Sequence, residues 1–265
     1  MTEYEFHEGI KQQQVFRRFE AKYIISELEA EAIADYIGPY VVPDPHAQEG
    51  AAYPVSSLYL DSPDLRMFWS SELGEKNRFK LRVRAYSDNP GDPVFFEIKR
   101  RIGPIVWKQR AGVSRALAEG VLRGGEVGPH VLAEADDEGM DNLCTFRDYL
   151  HMMSATPCVM VRYSREAYIS SLEEPVRITF DRYISCLPVA RYTPDVWSFV
   201  DGWRDIHDPL VILEVKFTDV MPFWVRRLIQ RFHLLIDSVA KYVTCMKTLR
   251  GAGIRVGALL ETTAI

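Results

Sequence analysis

The sequence predicts an α+β fold: an eight-stranded antiparallel β-structure, closed as a barrel, with flanking helices that include a long C-terminal one. Three observations carry this. Strand-like segments follow one another with dense turn formers between them, and regular strand–helix–strand units are not the pattern. Within these segments apolar residues alternate with charged ones, and the charges are mostly basic. The alternation returns on segment after segment, which points to one shared interior rather than to separate wet faces.

Taken in order, residues 1–15 read as a polar leader without the apolar stretch of a signal peptide. Arg17 to Ile25 is a strand. Ser26 then starts a helix, because Ser at the N-cap with Glu29 three residues on makes a capping box, and Leu28, Ala32 and Ile33 keep helical spacing. It ends near Gly38-Pro39. A Pro- and Gly-rich loop from Pro43 to Pro54 leads to the strand Val55 to Leu60. Ser62-Pro63 opens a short helix with Pro at its first position. Arg78 to Tyr86 and Pro93 to Arg101 are strands, joined as a hairpin by the turn formers Ser87 to Asp92. Ile105 to Ala111 is a further strand. Residues 114–155 are helical and acidic, with Glu126 to Asp141 as a solvated loop. Cys158 to Ser170, Val176 to Cys186 and Leu210 to Phe217 are strands. A long helix from about Pro222 to Leu249 follows, with Val225, Leu228, Ile229, Phe232, Leu235, Ile236 and Val239 at three- and four-residue spacing. Residues 16–250 form the domain and 251–265 a tail.

With 265 residues, 47% apolar and 26% charged, the chain can bury one sizeable core, and disorder is excluded as its main state. A formal charge of −5 argues against nucleic acid as a partner. No stretch is apolar over the roughly twenty residues that a span needs, so any membrane link runs through a membrane-protein partner. Cys144, Cys158, Cys186 and Cys245 show no CxxC pairing, which fits reduced thiols in a cytoplasmic protein rather than a disulfide frame or a zinc site.

The charged rows are the unusual feature. Arg18, Glu20 and Lys22 share one strand face. Lys80, Arg82 and Arg84 share another, as do Glu97, Lys99 and Arg101, then Lys108 and Arg110, then Arg177, Thr179 and Asp181, then Glu214 and Lys216. On a single strand the simplest reading is a solvent face. These rows are rich in Arg, however, and they recur. Packing the apolar sides under helices would turn all of them into one wet lumen. So many bases need an anion there, because burial and mutual repulsion would otherwise be costly. Arg suits phosphate through paired hydrogen bonds. Glu20, Glu97 and Glu214 are then candidate hard-oxygen ligands for Mg²⁺ or Mn²⁺. Asp181 is placed to orient Arg177 or to assist the metal. Lys108 and Arg110 fit a solvent-facing place beside Trp107 equally well, and Arg226, Arg227 and Arg231 read as surface.

The strings RRFEAKY (17–23), SSLYLDSPDLRMF (56–68), KLRVRAY (80–86), FFEIKRR (95–101), VRYSREAY (161–168), VRITFD (176–181), ILEVKF (212–217) and SVAKYVTCM (238–246) together resemble the VTC domain. This is the polyphosphate polymerase domain of the vacuolar transporter chaperone complex, one of the triphosphate tunnel metalloenzymes related to the CYTH group. The resemblance runs in order over about residues 16–247. It implies a tunnel that binds triphosphate or polyphosphate through basic side chains and a divalent metal through a carboxylate. Arg18 and Lys22 match the basic pair of the first strand, with Lys22 close to the transferred phosphate. Arg82 and Arg84 match the RxR clamp, Lys99 the lysine of the ExK strand, and Tyr163 and Arg165 the YxR pair. Glu214 matches the metal-binding glutamate and Lys241 the lysine of the late SKY-type motif. There Ala240 replaces the expected small hydroxyl residue.

The expectation is an ATP-dependent polyphosphate polymerase with ATP and polyphosphate as its ligands. Lys22, Arg82, Arg84 and Lys99 form its catalytic group. Arg18, Lys80, Arg101, Tyr163, Arg165, Arg177, Lys216 and Lys241 bind phosphate, and Glu214, Glu20 and Glu97 hold Mn²⁺ or Mg²⁺. Two other readings stay open: a triphosphatase or polyphosphatase with water as acceptor, and a non-catalytic module that binds polyphosphate or inositol phosphates.

Overall fold

Ten strands form one antiparallel sheet in the computed structural model, which describes residues 18–45, 52–103, 105–172, 175–197, 201–206, 210–254 and 256. The strands are β1 (Arg18–Ile25), β2 (Val41–Pro43), β3 (Tyr53–Asp61), β4 (Asn77–Ala85), β5 (Val94–Ile102), β6 (Ile105–Val113), β7 (Thr156–Ser170), β8 (Val176–Pro188), β9 (Arg204–Ile206) and β10 (Val211–Thr218). The helices are α1 (Glu27–Ile37), α2 (Arg66–Glu72), α3 (Ala118–Leu122), α4 (Asp137–Met152), α5 (Phe223–Arg231) and α6 (Lys241–Gly251). The leader expected over 1–15 and most of the tail expected over 251–265 lie outside the described residues.

The main path of the sheet runs β1-β10-β8-β7-β3-β4-β5-β6, with β2 added to β7 and β9 to β8. Here the expected closed barrel is corrected. Among the described residues no ladder joins β6 to β1, so the sheet is open. It is strongly curled all the same, because Lys99 on β5 reaches Glu20 on β1 at 3.4 Å. One reason for the gap is visible at β1. Lys22 pairs with Glu214 on β10, and its backbone oxygen accepts a 2.8 Å hydrogen bond from the Asp237 amide. The segment between α5 and α6 thus takes a ladder position that a closing strand would need.

Burial is arranged as the alternation requires. The outer face of β4, β5 and β6 packs under α3 and α4 through Leu81, Val83, Phe96, Ile98, Leu143 and Phe146. The outer face of β1, β8 and β10 packs under α1 and α5 through Tyr23, Ile178, Phe180, Leu213, Ile33 and Val225. Part of the concave face is apolar as well. Val55, Tyr59, Val161, Ile184, Cys186 and Ile212 pack there against Tyr242, Met246 and Leu249 of α6.

Ser26 makes the expected capping box with Glu29. The single long C-terminal helix is corrected to two. α5 ends in a Schellman turn, with His233 at φ 49 and the Leu234 amide bonded to the Ile229 oxygen at 3.1 Å. Leu234 is buried, but Leu235 and Ile236 are 85% and 75% exposed, so the apolar spacing continues past the end of the helix. The short helix after β3 starts at Arg66, not at Pro63. Leu65 sits at φ 57, and both Asp61 carboxylate oxygens cap α2 by accepting the Met67 and Phe68 amides at 2.9 and 2.8 Å. On β8 an irregularity includes Tyr183 at φ 53, and it brings Ile184 and Cys186 rather than Tyr183 onto the concave face.

Candidate functional site

On β4, Leu81, Val83 and Ala85 are buried in the outer core, so Lys80, Arg82 and Arg84 project to the concave side. Register turns the same way Glu97 and Lys99 of β5, Lys108 and Arg110 of β6, Glu20 and Lys22 of β1, and Glu214 and Lys216 of β10. Arg177, Thr179 and Asp181 of β8 and Arg165 of β7 join them. Lys108 and Arg110 face this interior: both approach Glu97, at 2.6 and 3.6 Å.

Each carboxylate here is shared by bases. Buried Glu97 accepts Arg82 Nε at 2.7 Å and lies 2.6 Å from both Arg82 Nη2 and Lys108 Nζ. Glu20 lies 2.9 Å from Lys22, 3.4 Å from Lys99 and 4.0 Å from Lys216. Asp181 takes both arms of Arg165 at 2.7 and 2.8 Å, and Lys241 approaches it at 2.5 Å. Glu214 is 2.7 Å from Lys216 and 3.7 Å from Arg165. The Tyr163 ring lies under the Arg165 and Lys241 cations.

Two bases differ. Among the described residues, neither Lys80 nor Arg84 has a carboxylate within ion-pair distance. Arg84 is buried and donates to the Ser57 hydroxyl at 2.9 Å, and Lys80 faces the Tyr242 ring at 5.7 Å. The site's titration follows from this imbalance. Burial, with Lys99 and Lys22 nearby, lowers Lys80 to about 8. Lys99 is lowered to about 8 by burial and by Lys22 and Arg82, against the pull of Glu20. Burial would raise Glu214, yet Lys216, Lys22, Arg165 and Lys241 outweigh it and hold it well below the usual carboxylate range. Burial opposes the charge of Glu97 too, and Arg82, Arg84 and Lys108 reverse the effect.

Tyr59 was not singled out from the sequence. Burial would raise its phenol, but Arg82, Arg84 and Lys80 bring it down to about 8, and Arg82 Nη1 donates to its hydroxyl at 3.3 Å. Its ring stacks on Tyr242. The signal was present: Ser57, Tyr59 and Asp61 form a polar row at the same two-residue spacing as the basic rows.

The remaining expected positions are spread out. Arg177 does not meet Asp181; it pairs with Asp44 at 2.8 Å and reaches the Tyr53 hydroxyl. Arg101 is exposed at the end of β5, where its Nε donates to the Gly103 oxygen. Arg18 opens β1 opposite Thr218, and its side chain lies outside the described residues. Glu20, Glu97 and Glu214 do not converge: no group of three or more metal-ligating carboxylates, histidines or cysteines forms among the described residues. Glu20 and Glu214 are near enough to raise each other's cost of ionisation. The buried Thr179 hydroxyl, opposite Glu214 in the ladder, has no hydrogen-bond partner among the described residues.

The family model of the VTC domain matches residues 17–250. No curated protein matches the chain. Solved structures show a remote likeness. A proposed adenylate cyclase from Bacillus halodurans is 12% identical, with a TM-score of 0.46 over 84% of this chain and 95% of that one. Another from Vibrio parahaemolyticus is 14% identical, with a TM-score of 0.40 over 84% and 94%. A protein from Pyrococcus horikoshii OT3 is 13% identical, with a TM-score of 0.43 over 88% and 98%.

Proposed function

The chain belongs to the VTC domain family, and we propose that it is a metal-dependent polyphosphate polymerase that moves the γ-phosphate of ATP onto a growing polyphosphate chain on its basic concave face. Family membership supports phosphate handling. One observation supports the polyanion site that this reading requires: every carboxylate of the face is already shared among bases, and Lys80 and Arg84 have none within ion-pair distance. A bound polyanion supplies the missing charge. In the transfer, the bond from the γ-phosphorus to ADP breaks and a bond to the acceptor phosphate oxygen forms. Charge then spreads over the phosphoryl oxygens, so fixed cations lower the barrier by position and electrostatics. Arg82 is pre-oriented by Glu97 for this role, and Lys22 and Lys99 by Glu20. The free cysteines suit a cytoplasmic setting.

The oxygen-only set of Glu20, Glu214 and the unpartnered Thr179 hydroxyl fits Mg²⁺ or Mn²⁺, completed by substrate phosphates. Bases stand at both oxygens of all three carboxylates, but they hold Glu97 tightest, at 2.6 Å on each oxygen, whereas one oxygen of Glu20 and one of Glu214 meet bases only at 3.4 Å or beyond. When bound, such an ion would supply Lewis-acid charge that offsets the negative charge of the phosphates. Glu214→Gln is expected to abolish turnover while leaving part of the phosphate affinity. Incubation with ATP and Mn²⁺ or Mg²⁺, with products run on a gel, tests the reading. A phosphate ladder supports it, and free phosphate alone sinks it. That second outcome belongs to a hydrolase, for which Tyr59 and Lys80 are the favouring observation: both titrate near 8 and can exchange a proton beside the phosphates.

A further inference from the structure

The tip of the β5–β6 hairpin combines exposed apolar side chains with bases that form no ion pair among the described residues. Ile102 and Ile105 face each other beside the turn at Gly103, Val106 opposes Arg101, and Trp107 opposes Arg100. The four apolar residues are 40%, 46%, 49% and 57% exposed in chain order. The Gly103 amide ties the tip to the Lys76 oxygen at 2.9 Å, and Arg78 is the cross-strand partner of Arg101. Like charges directly opposite weaken a ladder. Among the described residues none of Lys76, Arg78, Arg100 and Arg101 lies within ion-pair distance of a carboxylate. Arg101 bonds the Gly103 oxygen, and Arg78 bonds the backbone oxygen of Glu75. Two other exposed apolar residues, Val220 and Ile236, sit next to the acids Asp219 and Asp237.

We propose that this tip docks the protein on an anionic lipid surface, with Trp107, Ile105, Val106 and Ile102 entering the headgroup layer and Lys76, Arg78, Arg100 and Arg101 meeting lipid phosphates and carboxylates. An exposed Trp with aliphatic neighbours and a collar of bases is the composition that seeks a membrane interface. A second copy of the chain is disfavoured as occupant, because a symmetric contact would set two basic collars against each other. Soluble polyphosphate would satisfy the collar but leave the apolar side chains in water. The chain as a whole carries −5, so attraction to an anionic surface must be local to the tip and weaken with salt.

Co-sedimentation with phosphatidylcholine vesicles containing one third phosphatidylserine tests this. The wild type is expected to pellet with these vesicles and not with pure phosphatidylcholine. Lys76→Gln with Arg100→Gln is expected to weaken binding about 30-fold, at the usual strength of a base near an anionic surface. Ile105→Ser with Trp107→Ser is expected to abolish it while tripolyphosphate binding and melting temperature stay unchanged. Absence of wild-type binding overturns the proposal. So does equal binding by the serine variant, or a wild-type dimer in sedimentation that this variant abolishes without any vesicle binding. If tripolyphosphate strips the wild type from vesicles and the serine variant binds them fully, the collar serves the soluble anion and the proposal also fails.

Discussion

On the β7–β8–β10 side of the concave face, Asp181 holds Arg165 and Lys241 and Glu214 holds Lys216, at 2.5 to 2.7 Å. On the β4 side, Lys80 and Arg84 have no carboxylate within ion-pair distance among the described residues and meet tyrosine rings and the Ser57 hydroxyl instead. Residue types are similar on both sides, and the count of acids differs. Buried bases with carboxylate partners fix the geometry of strands and of α6. Buried bases without them store unfavourable charge that an anion relieves. On the proposed function, the Asp181 corner acts as scaffold and the β4 bases are where a polyphosphate would gain most by binding.

The sharpest way to break this contrast is to remove an acid from the first side. Asp181→Ala leaves Arg165 and Lys241 buried and unpaired, and is expected to lower folding stability by about 3–5 kcal/mol in urea unfolding. A loss below about 1 kcal/mol, the range of exposed pairs, would show that the corner is not structural. The opposite test is Arg84→Met on the second side. Tripolyphosphate affinity by calorimetry should fall about 10–100-fold, the worth of one or two charged hydrogen bonds. Stability should fall less than at Asp181, because Glu97 keeps Arg82 and Lys108 when Arg84 is removed.

Acidity sharpens the same contrast. Lys80 and Lys99 titrate near 8 in the folded protein against an ordinary 10.5, so between these values the unfolded chain holds more protons. Stability of the ligand-free protein contributed by these two groups is therefore absent below about pH 8 and rises with pH up to about 10.5. Tripolyphosphate affinity moves the other way, because the charges that attract it are lost. Each lysine should cost about tenfold in affinity per pH unit above 8, and Lys80→Met should remove its share of that slope. The smallest effect concerns α6, whose N-cap is Ala240 with no side-chain cap. Ala240→Ser supplies that oxygen and should add about 1 kcal/mol to stability, seen as a higher urea midpoint, by firming the helix that carries Lys241.

Much of this was legible in the sequence because a strand's period is two. The basic rows on β1, β4, β5, β6 and β10 could be read residue by residue, and they do meet on one face. What was not legible came from interactions distant in the chain. Nothing local marks the end of α5, since no Gly or Pro stands at His233; the turn is held in part by the Asp237 amide reaching β1. Asp61 caps α2 from the end of β3, so Ser62-Pro63 carried a misleading start signal. Pairing within the site was equally hidden. Sequence spacing set Asp181 beside Arg177 on one strand, whereas the sheet gives Asp181 to Arg165 and Lys241, and Arg177 to Asp44. Closure is not legible either, because alternation shows that a face is shared and not that the edge strands meet.

The most direct test of the two-sided account is a crystal structure of the protein with tripolyphosphate. It should show phosphate oxygens within hydrogen-bond distance of Lys80, Arg82 and Arg84, with the Arg165–Asp181 pair intact. Phosphate lodged against Arg165 and Lys241 with that pair broken, and none at β4, would contradict it.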